Sequence, residues 1–215
     1  MSEFFNYDGP FFKYGNMLAD MVILSFLWII LSLPVVTIGA TTTAAYYVTT
    51  RRLADKEAYF IREFFRAFKR EFLKATMIWV PLLVAAVLVI ANIYNMNNAE
   101  TPIFSPTVTT IMIPLQFFVL FEVIMISLYV FPVGARFDMS RRTLLKTAFF
   151  MAHSHIFTTV VLLVLLIGGF FLIITLFNFL FVLLFPGVFF ILSSLLYLRI
   201  FKKYRPEMDK SDEGR

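Results

Sequence analysis

Four stretches of this chain carry almost no charge and are long enough to cross a bilayer, and the basic residues collect between them. An uncharged run of about 20 residues matches a hydrocarbon core roughly 30 Å thick. The first such run covers 17–38, the second 75–96 and the third 108–131. Ile156 to Tyr197 then runs without a single charge. At about 1.5 Å per residue that is close to twice one crossing, so it predicts two helices, 156–176 and 179–200, turning near Asn178. The pattern predicts an all-α polytopic membrane helical bundle: one membrane domain of about five transmembrane helices, with amphipathic helices on the cytoplasmic side.

The flanks assign a direction. Met1 to Asn16 holds one lysine, Lys13, against Glu3 and Asp8. Arg51 to Lys74 holds Arg51, Arg52, Lys56, Arg62, Arg66, Lys69, Arg70 and Lys74, while Asn97 to Thr107 has neither Lys nor Arg. Arg136, Arg141, Arg142 and Lys146 follow the third span, and the tail is basic again from Arg199 onward. Poor and rich loops alternate as expected for an odd number of crossings, with the amino terminus outside and the carboxy terminus in the cytoplasm. Because the charge follows the first apolar run instead of preceding it, that run is expected to be retained rather than cleaved as a signal peptide.

Composition narrows the function classes. Sixty per cent hydrophobic residues and a mean hydropathy of +0.83 exclude an ordinary soluble domain. The net charge of +5 sits on the loops where topology already accounts for it, so it does not indicate a nucleic-acid partner. There is no cysteine, hence no disulfide, thiolate nucleophile or Cys-ligated zinc. H-E-x-x-H, G-x-S-x-G and P-loop motifs are absent. No loop is long enough for a soluble catalytic domain. A non-enzymatic protein without metal or cofactor is the expectation. The 28 phenylalanines suit lipid-facing and packing surfaces made of large knobs.

The strongest amphipathic segment is Tyr59 to Lys74. On a helical wheel Phe60, Ile61, Phe64, Phe65, Phe68 and Phe72 fall in one arc of roughly 140°, opposite Arg62, Arg66, Lys69, Arg70 and Lys74. This predicts a helix lying flat at the cytoplasmic interface, with Arg62, Arg66, Arg70, Phe64 and Phe68 touching membrane lipid or a partner protein. Like charges at i, i+4 repel, so the column Arg62, Arg66, Arg70 calls for acidic compensation, from anionic lipid or from an acidic groove on a partner. A second phrase, Phe149-Phe150-Met151-Ala152 followed by Phe157, shares F-F-x-A-x4-F with Phe64-Phe65-Arg66-Ala67 and Phe72. It raises the reading of two parallel repeats, each an amphipathic helix and two spans; chance in a Phe-rich chain is the alternative.

Few residues could carry chemistry. Glu122 sits near the centre of the third span, where a carboxylate costs a few kcal/mol unless it is protonated, paired or facing water. It is either a coupling or ligand site or one buried hydrogen bond, to Asn92 or Trp79 of the preceding helix. Asp20 is placed near the outer end of the first span, in an interfacial role. His153 and His155, at i, i+2, point about 160° apart and so do not form a ligand pair. Pro34, Gly39, Pro81, Pro114, Pro132 and Pro186-Gly187 are expected to break or bend helices. Pro34 and Gly39 stand out: Pro34 disfavours helix at Leu33, and the polar run after Gly39 suits a new start, with a short helix from about Thr41 to Ala54.

The phrase Ser32-Leu-Pro-Val-Val-Thr-Ile-Gly39, continuing Ala-Thr-Thr-Thr-Ala-Ala-Tyr-Tyr47, resembles the YesL-like family, also called the domain of unknown function 624. Phe64-Phe-Arg-Ala-Phe-Lys-Arg-Glu-Phe72 and the opening Asp8-Gly-Pro-Phe-Phe-Lys-Tyr-Gly15 resemble it too. The resemblance implies a small integral protein of a bacterial cell membrane, with genes often beside those for carbohydrate uptake and degradation, and no catalytic residue to carry over. The expectation is an accessory or regulatory component near a carbohydrate importer, with subunits of a carbohydrate ABC transporter as partners. The alternative is a small transporter with Glu122 in its path.

Overall fold

The computed structural model describes residues 10–53, 60–98, 105–176 and 179–212, and these form helices joined by short turns. The order is α1 (Pro10–Ser32), a single 3-10 turn (Val35–Thr37), α2 (Ile38–Leu53), α3 (Phe60–Asn98), α4 (Pro106–Arg136), α5 (Arg141–Ser154), α6 (Ile156–Leu176) and α7 (Phe179–Asp212). Four of them, α3, α4, α6 and α7, are long and apolar enough to cross a membrane. They cover four of the five expected spans. Asn178, the expected turning point, lies outside the described residues.

The first expected span, 17–38, has a different form. Its helix stops at Ser32, and α2 folds back along it as an antiparallel hairpin. Trp28 Nε1 donates to Thr42 Oγ1 at 3.1 Å, and farther from the turn Arg52 Nε meets Asp20 Oδ2 at 2.8 Å. Asp20 is therefore not at the outer end of a crossing whose inner end is Arg52: the two are in contact. That pairing places Asp20 and Arg52 at one end of the α1–α2 hairpin. Loop charges could not reveal it, because a hairpin adds no change of side.

Pro34 ends α1, as expected, and a broken backbone inside a bundle must have its carbonyls satisfied. The threonines after it do this. Thr37 Oγ1 is shared between the Leu31 and Pro34 carbonyls, and Thr41 Oγ1 donates to Thr37 O at 2.9 Å. From α3, Trp79 Nε1 donates to Val35 O at 2.7 Å. The exit helix begins at Ile38, close to the expected start, and ten of its sixteen residues are buried. It is weakly apolar by composition, yet it forms the centre of the bundle, packed against α3, α4 and α7.

Gly39 is a correction. It lies inside the first turn of α2, not at a break, and its role is close approach. A Cβ there would meet Trp79 Cβ at 2.6 Å, Ala75 O at 3.0 Å and Phe131 Cε1 at 3.0 Å. Gly39→Ala should therefore push α2 off α3 and cost about 1–3 kcal/mol, the usual range for overpacking. A thermal unfolding midpoint in detergent equal to that of the parent would contradict this packing. Pro81, Pro114, Pro132 and Pro186 each lie within a continuous helix, so none of them ends one.

The largest departure concerns Tyr59–Lys74. Tyr59 lies outside the described residues, and Phe60 onward is not a separate interfacial helix. It is the first part of α3, which runs 39 residues, about 58 Å at 1.5 Å per residue. Phe64, Ala67, Glu71, Ala75 and Ile78 form its buried stripe and face α2. Within the aromatic arc Phe64 is buried and Phe60 and Phe68 pack partly against the core, while Ile61 and Phe65 stay exposed. A wheel reports that a surface is apolar and leaves open what covers it.

In order of elements, α3–α4 and α5–α6–α7 each contain an amphipathic segment packed on the preceding helix, then a span and a return. The shared phrase does not pack equivalently. Ala67 and Ala152 are both buried, whereas Phe64 is buried and Phe149 and Phe150 are exposed. The outward aromatic and basic helix expected from Phe64 and Phe68 is realised instead by α5, with Phe149, Phe150, Arg142 and Lys146 on its surface.

Candidate functional site

The centre of the bundle is a tyrosine cluster. Tyr197 of α7 meets Tyr46 of α2 and Tyr129 of α4 edge-on, with ring centroids 5.5 and 5.4 Å apart. All three are buried, and each hydroxyl has a partner. Tyr46 OH lies 3.2 Å from Ser193 Oγ, and Tyr129 OH lies 3.0 Å from Thr159 Oγ1. Tyr197 OH donates to Leu128 O at 2.6 Å. That carbonyl stands one turn before Pro132, which has no N–H to give it, so Tyr197 fills the vacancy the proline creates. Thr49 and Ser194 add a hydroxyl pair at 2.8 Å. The Thr-rich stretch of α2 and the Ser193-Ser194 pair were the available signals of a polar layer, but their meeting across 145 positions is a tertiary event.

Glu122 lies on α4 with most of its side chain covered. Neither expected partner holds it: Asn92 is exposed on α3, and Trp79 is engaged with Val35. Instead Glu122 Oε1 lies 3.2 Å from His153 Nε2 of α5, and His153 Nδ1 lies 2.9 Å from Phe149 O. The other carboxylate oxygen, Oε2, is buried without a hydrogen-bond partner. The two histidines diverge: His155 Nε2 lies 3.1 Å from Tyr204 OH.

The arginine column is offset largely within the chain. Arg66 pairs with Glu63 at 3.4 Å, and Arg70 Nε with Glu71 Oε1 at 2.8 Å. Glu71, which falls within the apolar arc of the wheel, is the buried counter-charge. The Arg70 guanidinium also lies 4.9 Å from the centre of the Tyr47 ring. Arg62 is exposed. Phe64, expected to touch lipid or a partner, is 0% exposed, and Phe68 is half-buried against the same core. Lys74 Nζ holds Asp138 Oδ1 at 2.9 Å, tying α3 to the end of α4. That contact keeps the Asp138 carboxyl below its ordinary range.

Beyond this core the surface is apolar. Val87 and Leu88 of α3, Ile111 and Phe118 of α4, and Ile167 and Phe171 of α6 are exposed, on helices of membrane-crossing length. Exposed apolar area on that scale needs lipid. The fold defines a multi-pass α-helical integral membrane protein. Residues 21–93 match the family described as "Protein of unknown function, DUF624". The chain is also 30% identical over 194 residues to "Uncharacterized protein YesL" of Bacillus subtilis (strain 168), covering 88% of this chain and 87% of that one. The chain belongs to DUF624, the YesL-like family. No solved structure matches it.

Proposed function

We propose that the protein is a non-enzymatic accessory or regulatory component of the cell membrane that acts beside a carbohydrate importer, with both chain ends in the cytoplasm. One observation carries the accessory reading. The middle of the bundle is filled by Tyr46, Tyr129 and Tyr197 with their hydroxyls bonded inward, so the groups free to act are on the surface. The carbohydrate association rests on the family resemblance. Purification from the native host in mild detergent tests it: permease or binding-protein subunits of a sugar importer should co-purify, and their absence under conditions that preserve other membrane complexes would count against it.

A second reading, a small transporter, draws on Glu122, a mostly covered carboxylate with one oxygen unpaired. Intramembrane carboxylates are often functional. The two readings diverge in one experiment. Under the accessory reading Glu122→Gln keeps the contact to His153 and changes stability by no more than about 1 kcal/mol, with growth on the relevant sugar unaltered. Glu122→Leu removes the contact to the exposed His153 and lowers stability by no more than about 1 kcal/mol. A Gln variant that inserts normally yet abolishes growth on the sugar would favour the transporter.

A further inference from the structure

At the end of the bundle that carries Arg51 and Arg52, a groove of about 410 Å³ opens between the last turns of α2 and α4 and the middle of α7. Its walls are apolar: Leu53 from α2, Phe137 after α4, and Leu195, Leu198 and Phe201 from α7. Its rim carries three cations, Arg136, Arg199 and Lys202, all exposed.

These cations differ from those on the neighbouring elements. Arg51, Arg52, Arg66, Arg70 and Lys74 each have a carboxylate of the chain itself within ion-pair distance. Arg136, Arg199 and Lys202 have none among the described residues, although two helices far apart in sequence bring them to one groove. Beside it, Arg51 and Arg136 line a smaller cavity of about 160 Å³, and Arg51 Nε is buried there without a hydrogen-bond partner. The depth is also informative. Arg199 is the first charge after the uncharged run that begins at Ile156, and Arg136 is the first after Glu122, so both mark the level where hydrocarbon gives way to headgroups. Anionic charge is wanted at the rim, and apolar chain is wanted below it.

We propose that this groove binds one acidic glycerophospholipid, with its phosphate at Arg136, Arg199 and Lys202 and an acyl chain along Leu195 and Leu198. The occupant is amphiphilic because the walls are apolar, and anionic because the rim is cationic and uncompensated. Basic pockets between membrane helices are a recognised mode of headgroup binding.

The full-length protein carrying Leu195→Trp, an exposed position, gives a local probe. It is reconstituted in phosphatidylcholine vesicles that contain a small fraction of brominated-chain phosphatidylglycerol or, in parallel, brominated-chain phosphatidylcholine, with the unsubstituted protein as background for Trp28 and Trp79. Quenching by the brominated phosphatidylglycerol should exceed that by the brominated phosphatidylcholine by about five-fold, since each basic residue near the surface adds to the attraction. Adding Arg136→Gln, Arg199→Gln and Lys202→Gln should remove the excess. Lys69→Gln, Arg142→Gln and Lys146→Gln, which subtract the same charge elsewhere, should keep it. Should the first triple variant fail to fold, the single variants Arg199→Gln and Lys202→Gln carry the comparison. Equal quenching by the two lipids, or equal loss in both triple variants, overturns the proposal. Displacement of the lipid by inorganic phosphate or by an acidic peptide also overturns it, and assigns the groove to a soluble anion or to a protein.

Discussion

A cysteine placed at Ser2 should stay unlabelled when intact cells meet a membrane-impermeant maleimide, as should one at Ser211, whereas one at Asn97 should react. The chain has no cysteine of its own, so each single substitution reads cleanly, and all three should label after lysis. The expectation comes from three contacts at one end of the bundle. Arg52 Nε meets Asp20 Oδ2 at 2.8 Å, which puts the exit of the hairpin beside the first half of α1. Lys74 meets Asp138 at 2.9 Å, joining the start of the apolar part of α3 to the residue just beyond α4. His155 meets Tyr204 at 3.1 Å, joining the approach to α6 to the late part of α7. Four crossings after a hairpin bring the chain back to the face it left. With the basic loops in the cytoplasm, the proposed topology has both ends there. Placing Asp20 on the far side would break its ion pair and move a charge through hydrocarbon. Labelling of the Ser2 cysteine from outside, with the Ser211 cysteine protected, would sink this topology and restore an odd number of crossings.

Phe64→Ala should lower stability by about 3–5 kcal/mol, the range for truncating a buried aromatic, while its neighbour Phe65→Ala changes little. Both lie on the apolar arc of the wheel, so a lipid-facing helix would treat them alike. The bundle does not: Phe64 is 0% exposed and Phe65 is 38% exposed. Phe64 stands in the stripe that α3 presses onto α2, one turn before Ala67 and two turns before the buried Glu71. Phe64→Asp should therefore fail to fold rather than free a segment from the bilayer. The measurement is the thermal midpoint of each variant by size-exclusion in detergent. Equal midpoints for Phe64→Ala and Phe65→Ala would return this segment to the interface.

Much of the fold was legible because its signals are local. Uncharged length marks α3, α4, α6 and α7, and Pro34 followed by a threonine run marks the break and the new helix. Candidate groups were harder to read. Glu122 was visible as an anomaly, but its partner His153 is 31 positions away on a helix that returns alongside α4, and nothing in the local pattern selects it over Asn92. Arg136, Arg199 and Lys202 read as ordinary positive loop charge until two helices bring them onto one groove.

Hydropathy and charge spacing, properties summed over neighbours along the chain, determined by themselves that this is an all-α membrane protein, about where its long helices lie, and where the first of them must break. Tertiary structure alone decided the partner of each face. An apolar arc gains the same burial against lipid as against α2, so no wheel could place Phe64 inside the protein. A run of loop charges is satisfied equally by one crossing or by a hairpin that turns back, and the contact of Asp20 with Arg52 is a tertiary event that no local pattern announces.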